Sequence, residues 1–600
     1  MAPALMKPVA PRIVSRMVPP IGDWPDHVPP VLRRIYAARG VASFAGTQLR
    51  LANLLPPDAL GGIEAASALL ADAIRNDHRI VIVGDFDCDG ATGTAVGVRG
   101  LRMLGARNVT YQVPHRVLHG YGLTPALVEV MRPLQPDLIV TVDNGIASHA
   151  GVAAAKALGW NVLITDHHLP GASLPAADAI VNPNLLSFEK CAHGWALCDS
   201  CAKDARMNES FKSKALAGVG VLFYLLLATR RRMFPENPPD LATLLDLVAV
   251  GTVADMVPLD ANNRVLVSAG LRRLRAGRCQ PGLRALADVA GRKLERLNAG
   301  DIGFFIAPRI NAAGRLEDMA IGIECLLTDD PTQAAELAHT LDAINGERRG
   351  VQQQMLEEAE QIVAMAGNAG EAAAVCVFDA DWHPGVIGLV ASKLKEQLHR
   401  PVIAFSPSES GSTELRGSAR SIPGFHIRDA LAAVDAMHPG LIARFGGHAM
   451  AAGMSIWYEQ LDAFVAAFKA YAETTVDPAL LGRELFSDGP LEPGEMTYEL
   501  AQSLRDAGPW GQGFPEPLFD GTFDVLDFRQ VGHGHLKLTL RDDSSTAPIA
   551  AIQFGGWNGT PPPRVRIAYQ LEPDDYRDRA GVQLLVRHLE PCAEATPSLC

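Results

Sequence analysis

Three carboxylates stand at alternate positions in Gly84-Asp85-Phe86-Asp87-Cys88-Asp89-Gly90. In extended chain such residues share one side. Packed together without cations they would cost several kcal/mol in repulsion and desolvation. Hard divalent cations such as Mg²⁺ or Mn²⁺ remove that cost. Three more stretches carry the same chemistry: Thr141-Val142-Asp143-Asn144-Gly145, Thr165-Asp166-His167-His168 and Gly251-Thr252-Val253-Ala254-Asp255. Taken singly, an Asp at such a place reads as a helix N-cap or turn residue, and the His pair as a surface turn. Taken together, aspartates and imidazoles suit a two-metal hydrolytic centre.

These residues need a frame that brings them to one edge. Arg79-Val83, Asn108-Val113, Asp137-Val142 and Asn161-Thr165 are short apolar or β-branched runs and read as strands. Helical patterns separate them: one runs to Leu104, one is announced by Thr124-Pro125 as N-cap and first helical residue, and one spans Ala147 to Leu158. Strands alternating with single helices imply a parallel sheet with helices on both faces. Ligands of such sheets bind beyond the carboxyl ends of the strands, where the first three acidic stretches fall. Residues 1–45 are Pro-rich and read as an irregular lead-in. Residues 214–365 read as mainly helical, with Ala334–Ala364 one or two long helices and Asn345-Gly346 the point for a break. A second α/β pattern begins at Ala373. Short β-rich segments from 484 to 590 read as a small β-barrel of the OB-fold type. The fold class is α/β: a parallel-sheet catalytic domain (46–330), a helical connector (331–370), a second α/β domain (371–475) and a C-terminal barrel (484–592).

Asp85-Phe-Asp-Cys-Asp-Gly90, Val142-Asp-Asn-Gly145, Asp166-His-His168 and Gly251-Thr-Val-Ala-Asp255 resemble the four signature motifs of the DHH phosphoesterases. Longer stretches resemble the branch of that superfamily that degrades single strands: Pro114-His-Arg116 with Gly120-Tyr-Gly-Leu123, Ser213–Gly220, and Pro308–Arg315. Trp382-His-Pro-Gly385, Gly417-Ser-Ala-Arg-Ser421 and Gly446-Gly-His448 resemble its DHHA1 module. The resemblance covers residues 45–590. It implies two ions, Mn²⁺ or Mg²⁺. Asp87 and Asp143 resemble ligands of one, with Asp85 completing that site. Asp89, Asp143, His167 and Asp255 resemble ligands of the other, with Asp143 bridging. His168 resembles the residue that contacts the scissile phosphate. Arg116, Arg309, Ser418 and Arg420 resemble the group that holds the 5′ end, a task suited to the bidentate guanidinium. Each arginine alone reads equally as half of a surface ion pair. Gly446 and Gly447, with His448, resemble a place where backbone approaches a nucleotide closely. Tyr121 reads either as a base-stacking ring or as core.

The activity so implied is 5′→3′ exonuclease digestion of single-stranded DNA to mononucleotides, in repair and recombination. The partners implied are a helicase that opens strands and a single-strand-binding protein. Relatives that cleave short oligonucleotides, cyclic dinucleotides or pyrophosphate are shorter and lack the connector and barrel. A catalytically dead scaffold would have lost metal ligands, and every expected Asp and His is present.

The formal net charge of -13 argues against a protein that coats nucleic acid, though not against a nuclease whose ions reverse the local sign. Nine cysteines in a 600-residue chain fit a reduced thiol set. Met1–Val18 has no apolar core of a signal peptide, and no apolar run spans a bilayer, so a cytoplasmic location without membrane partners is expected. One departure from the family pattern stands at about 185–212. There Cys191, His193, Cys198 and Cys201 offer zinc-type ligands in cramped spacing, and the segment reads as a loop with reduced thiols.

Overall fold

The computed structural model describes residues 9–592, apart from 117, 186–210, 367–371, 410, 493, 533, 543–546, 556–558 and 575–580. The Cys191–Cys201 group therefore lies outside the described residues. The chain forms two compact units: Val18–Asn345 with Ser503–Glu516, and Met1–Met17 with Gly346–Gln502 and Pro517–Cys600.

The Pro-rich start is not irregular throughout. Arg12–Ser15 form a strand, β1, and Pro30–Ala37 a helix. Prolines misled the reading because they end one residue before the strand and open the helix at its first position, where a missing N–H costs nothing.

The larger unit is built on strands β2 (Ile80–Val83), β3 (Val109–Gln112), β4 (Leu138–Val142), β5 (Asn161–Thr165) and β6 (Ala179–Val181), all parallel in the order β3-β2-β4-β5-β6. The central strands Ile80-Val-Ile-Val83 and Leu138-Ile-Val-Thr-Val142 are buried along their whole length, as expected for strands covered on both faces. β6 is three residues long, too short to show in the pattern. Val81, Ile139 and Ile164 pack with Leu127, Val152 and Trp160 on one side of the sheet. The helix Cys88–Met103 begins at Asp87, whose carboxylate accepts the Gly90 N–H at 3.0 Å. Thr124 caps Pro125–Met131 as expected, accepting the Leu127 N–H at 3.2 Å. Mainly helical chain follows from Gly218, and Pro331–Met365 is one continuous 35-residue helix. Asn345-Gly346 does not break it. Asn345 is buried, and one glycine costs only about 1 kcal/mol against many intact backbone bonds.

In the second unit, β7 (Val375–Phe378), β8 (Val402–Pro407), β9 (Glu414–Arg420), β10 (Arg444–Gly447) and β11 (Ala451–Trp457) make a mixed sheet ordered β10-β11-β9-β8-β7. Its inner face, with Phe405, Leu415 and Ile456, packs on Phe464 and Phe468. β12 (Glu484–Ser487) pairs in parallel with β1. Strands β13 (Phe519–Val531), β14 (His535–Asp542), β15 (Ile549–Gln553), β16 (Arg564–Asp574) and β17 (Gly581–Pro591) close a barrel. Alternate residues Leu536, Leu538 and Leu540 fill its interior. Among the described residues, no helix is long and apolar enough to cross a membrane.

Candidate metal centre

Each acidic stretch begins where a strand or helix runs out. After β2, Asp85 lies buried before the turn, Asp87 caps the helix, and Asp89 sits in its first turn. Both Asp89 oxygens accept backbone N–H groups, Gly218 at 2.6 Å and Val219 at 2.9 Å, from the start of helix Gly218–Met233. That helix end is a natural anion seat. After β4, Asp143 adopts a left-handed backbone (φ 63°), which costs roughly 1–2 kcal/mol for a non-glycine residue. The conformation is over-determined. Asp143 N–H donates to Thr165 O, Tyr121 OH donates to Asp143 O, and the Asn144 amide donates to Val83 O and Val142 O. A Cβ on Gly218 would lie 2.5 Å from the Asp143 Cβ, so only glycine lets the helix seat there. After β5, the Asp166 carboxylate accepts from Ile146 N, His167 N and His168 N, and lies 2.7 Å from His168 Nδ1. Asp255 ends the helix Leu245–Ala254.

These side chains converge. Ligand atoms of Asp85, Asp87 and Asp143 lie within 4.8 Å of one another, as do those of Asp89, His167 and Asp255, and those of Asp143, His167 and His168. His167 Nε2 stands 3.0 Å from Asp143 Oδ1 and 3.5 Å from Asp255 Oδ2. Asp85 Oδ1, Asp143 Oδ1, His167 Nε2 and Asp255 Oδ2 are buried without a hydrogen-bond partner among the described residues. Buried polar atoms left unsatisfied cost roughly 1–3 kcal/mol each, more when charged. Four such atoms facing one another are the signature of a ligand set.

Electrostatics agree. Burial, then the charge of Asp87, pushes Asp85 up to about 8 and Asp89 up to about 7. Burial and the neighbouring Asp89 carboxylate push Asp143 and Asp255 well above the carboxylate range. Burial, then the charge of His168, lowers His167 to about 4, leaving a neutral imidazole able to ligate. Burial pulls on His168 too, but its hydrogen bond to Asp166 and that charge outweigh it and raise the ring to about 9. Carboxylate-rich sites with one neutral imidazole fit Mn²⁺ or Mg²⁺.

On the rim, Tyr121 is half-exposed and meets Phe86 and His168 edge-on. Arg116 lies 3.8 Å above the Phe86 ring, and its Nε donates to Gly314 O. Arg309 is turned to other partners: it donates to Phe305 O and pairs with Asp342 at 2.8 Å. In the second unit, Arg420 donates to Ser418 Oγ at 3.0 Å and to Ser392 Oγ at 3.1 Å. Ser418 on β9, Gly453 on β11 and Gly446 on β10 form one cross-strand row. A Cβ on Gly446 or Gly453 would touch nothing, so the row offers bare backbone. Gly447 (φ 140°) and exposed His448 follow, with His448 N–H bonded to Ala451 O. On the barrel, Arg541 is paired with Asp524 at 3.2 Å.

Family models match along most of this frame: the DHH family N-terminal domain over 79–252, the DHHA1 domain over 370–474 and the RecJ OB domain over 487–588. The single-stranded-DNA-specific exonuclease RecJ of Escherichia coli is 46% identical over 594 residues, covering 97% of this chain and 99% of that one. The chain belongs to the RecJ family. Solved structures of RecJ from Thermus thermophilus align over 98% of it. The complex with Mn²⁺ has TM-score 0.77 and 32% identity and is covered over 80% of its length. The complex with Mg²⁺ has TM-score 0.72 and 30% identity and is covered over 79%.

Within this RecJ-family chain the motif reading overlooked the supports. Asp166 orients His168. Asn182 and Asn184 hold the carbonyls of His168 and His167 at 2.9 and 2.5 Å. Asn311 accepts the Cys88 N–H between Asp87 and Asp89 at 2.9 Å. Asn311 lies inside the Pro308–Arg315 stretch already singled out, and Asn182-Pro-Asn184 just ahead of the departure at about 185–212. Polar residues amid apolar runs near motifs are the signal that could have found them.

Proposed function

We propose that this chain is a single-stranded-DNA-specific exonuclease that works 5′→3′, releases 5′-mononucleotides and serves DNA repair and recombination. The observation that carries the reading is the pair of ligand sets that meet around Asp143. Asp85, Asp87 and Asp143 would hold one ion. Asp89, Asp143, His167 and Asp255 would hold the other. Bound Mn²⁺ or Mg²⁺ ions supply a water of lowered pKa and charge to hold the attacking and leaving oxygens. Everything else is done by side chains. His168, cationic and fixed by Asp166, faces the scissile phosphate and stabilises its growing negative charge. Tyr121 steadies His168 and the Asp143 backbone and offers its exposed ring for stacking on a base. Arg116 and Arg309 in the catalytic unit are assigned to phosphate binding, as are Ser418 and Arg420 in the second unit, where Gly446, Gly447 and His448 receive nucleotide backbone. For Arg309 this means that phosphate exchanges with Asp342.

The functional domains are assigned to 46–330 (catalytic), 331–370 (connector), 371–475 (DHHA1) and 484–592 (OB-fold). A helicase and a single-strand-binding protein present the substrate, in the cytoplasm. The test is digestion of 5′- and 3′-labelled single strands and a blunt duplex with Mn²⁺, Mg²⁺ or chelator. Early release of the 5′ label as mononucleotide, only with metal and only from single strands, is expected. Early release of the 3′ label, or equal attack on duplex, would overturn the reading.

A further inference from the structure

The segment Ser503–Glu516 belongs with the catalytic unit, although the chain on both sides of it belongs to the other unit. It is pinned there by rings. Trp510 and Phe514 stack at 5.2 Å, and Tyr36 lies against both at 6.2 and 6.4 Å. Arg264 covers Phe514 at 4.2 Å, and Arg39 covers Trp510 at 5.4 Å while donating to Pro515 O at 2.7 Å. Tyr36 OH donates to Ala507 O, and Trp510 Nε1 donates to Leu504 O. Between the two stacked rings, Gly511 and Phe514 exchange backbone hydrogen bonds and form a tight turn with Gln512 and Gly513 at its tip.

That tip meets the turn that follows Asp255. Gln512 O accepts the Leu259 N–H at 2.7 Å. A Cβ on Gly513 would stand 3.3 Å from Pro258, and one on Gly511 would stand 2.7 Å from Leu259 Cδ1. The braced turn is short. It runs from Asp255, through Met256 in a left-handed conformation (φ 59°), to Asp260, the N-cap of the helix Ala261–Arg275. A non-glycine residue held at positive φ needs outside support. The same turn is tied to the next metal-facing element. The Asn263 amide donates to Pro258 O and Ala215 O, and Ser213 Oγ donates to Asp260. Ala215 leads into Gly218 and Val219, whose N–H groups hold Asp89.

We infer that Trp510–Phe514 is a positioning strap for the second metal site, holding Asp255 and, through Asn263, the backbone donors of Asp89. The inference rests on reading Asp255 and Asp89 as ligands of that ion. Metal–oxygen distances tolerate only about 0.2 Å of error, so a small shift of Pro258 and Leu259 is enough to weaken one ion and spare the other. The catalytic centre is therefore completed by a segment that lies beyond the DHHA1 domain in the sequence.

Gly513→Val tests this. Valine is strongly disfavoured at φ +70°, and its branches would press on Pro258. Mn²⁺ binding to the full chain without DNA is followed by the electron paramagnetic resonance of free Mn²⁺, with thermal unfolding alongside. Native protein is expected to bind two ions. The variant is expected to bind one with native affinity and the other at least tenfold more weakly. Phe514→Leu, which keeps the apolar filling but loses the ring stack, replaces Gly513→Val if that variant does not fold, and the same split is expected. Native protein binding fewer than two ions would defeat the metal-centre reading itself. Native protein binding two, with a folded variant binding two at native affinity, would overturn the strap alone.

Discussion

Removing divalent ions should make the stability of this protein fall as pH rises through neutrality. Asp85 is raised from 3.8 to about 8 in the folded chain, and His168 from 6.5 to about 9. A group whose folded pKa is raised stabilises the fold below its unfolded pKa. That contribution is lost as pH climbs toward the folded value. Between about pH 6.5 and 8 both groups keep protons that the unfolded chain has released. Asp89, at about 7, adds to the slope early in this window. His167, lowered to about 4, works the other way only below pH 6.5. Each group contributes up to about 1.4 kcal/mol per pH unit, so Asp85 and His168 together contribute at most about 4 kcal/mol over the window. In a unit as large as the one that holds the site, that is a drop of roughly 5 °C in melting temperature. Scanning calorimetry in chelator at three pH values reads it directly. Saturating Mg²⁺ should remove the carboxylates' share of the fall, because the bound ion favours their ionised form, and leave the share of His168, which is held by Asp166. A melting temperature that holds steady or rises with pH in chelator would refute the electrostatic account of the centre.

Asp143→Ala should remove nearly all nuclease activity while leaving DNA binding in chelator intact, because one carboxylate serves both ligand sets; turnover near the native rate would exclude it as the bridge. Arg420→Ala should raise KM more than it lowers kcat, since its guanidinium bonds to Ser418 and Ser392 and serves as an anchor. A loss confined to kcat in steady-state kinetics would instead place it in the chemical step.

The centre was legible because its ligands follow strands that announce themselves. Ile80-Val-Ile-Val83 and Leu138–Val142 are β-branched and buried, and the residues just past them are the acids. Asp255 stands out as an acid like the others, but its role as a ligand came only from the motif resemblance, since it ends a helix and follows no strand. What could not be read was whatever depends on distant partners. β1 needs β12, nearly the whole chain away, and the two are short and ordinary in composition. The strap at Ser503–Glu516 looks like a Gly- and Pro-rich linker until Tyr36, Arg39 and Arg264 are seen around its rings. Asn345-Gly346 carries a break signal that a 35-residue helix overrides. Arg309 reads as a phosphate ligand by motif, yet it rests on Asp342, an ion pair that spacing does not reveal.

Anomalous diffraction at the manganese edge, from crystals grown with Mn²⁺, examines the shared-carboxylate centre most directly. Two peaks roughly 3.5–4 Å apart are predicted. One should be bounded by Asp85, Asp87 and Asp143 and the other by Asp89, Asp143, His167 and Asp255. A single peak, or two that do not share Asp143, would contradict it.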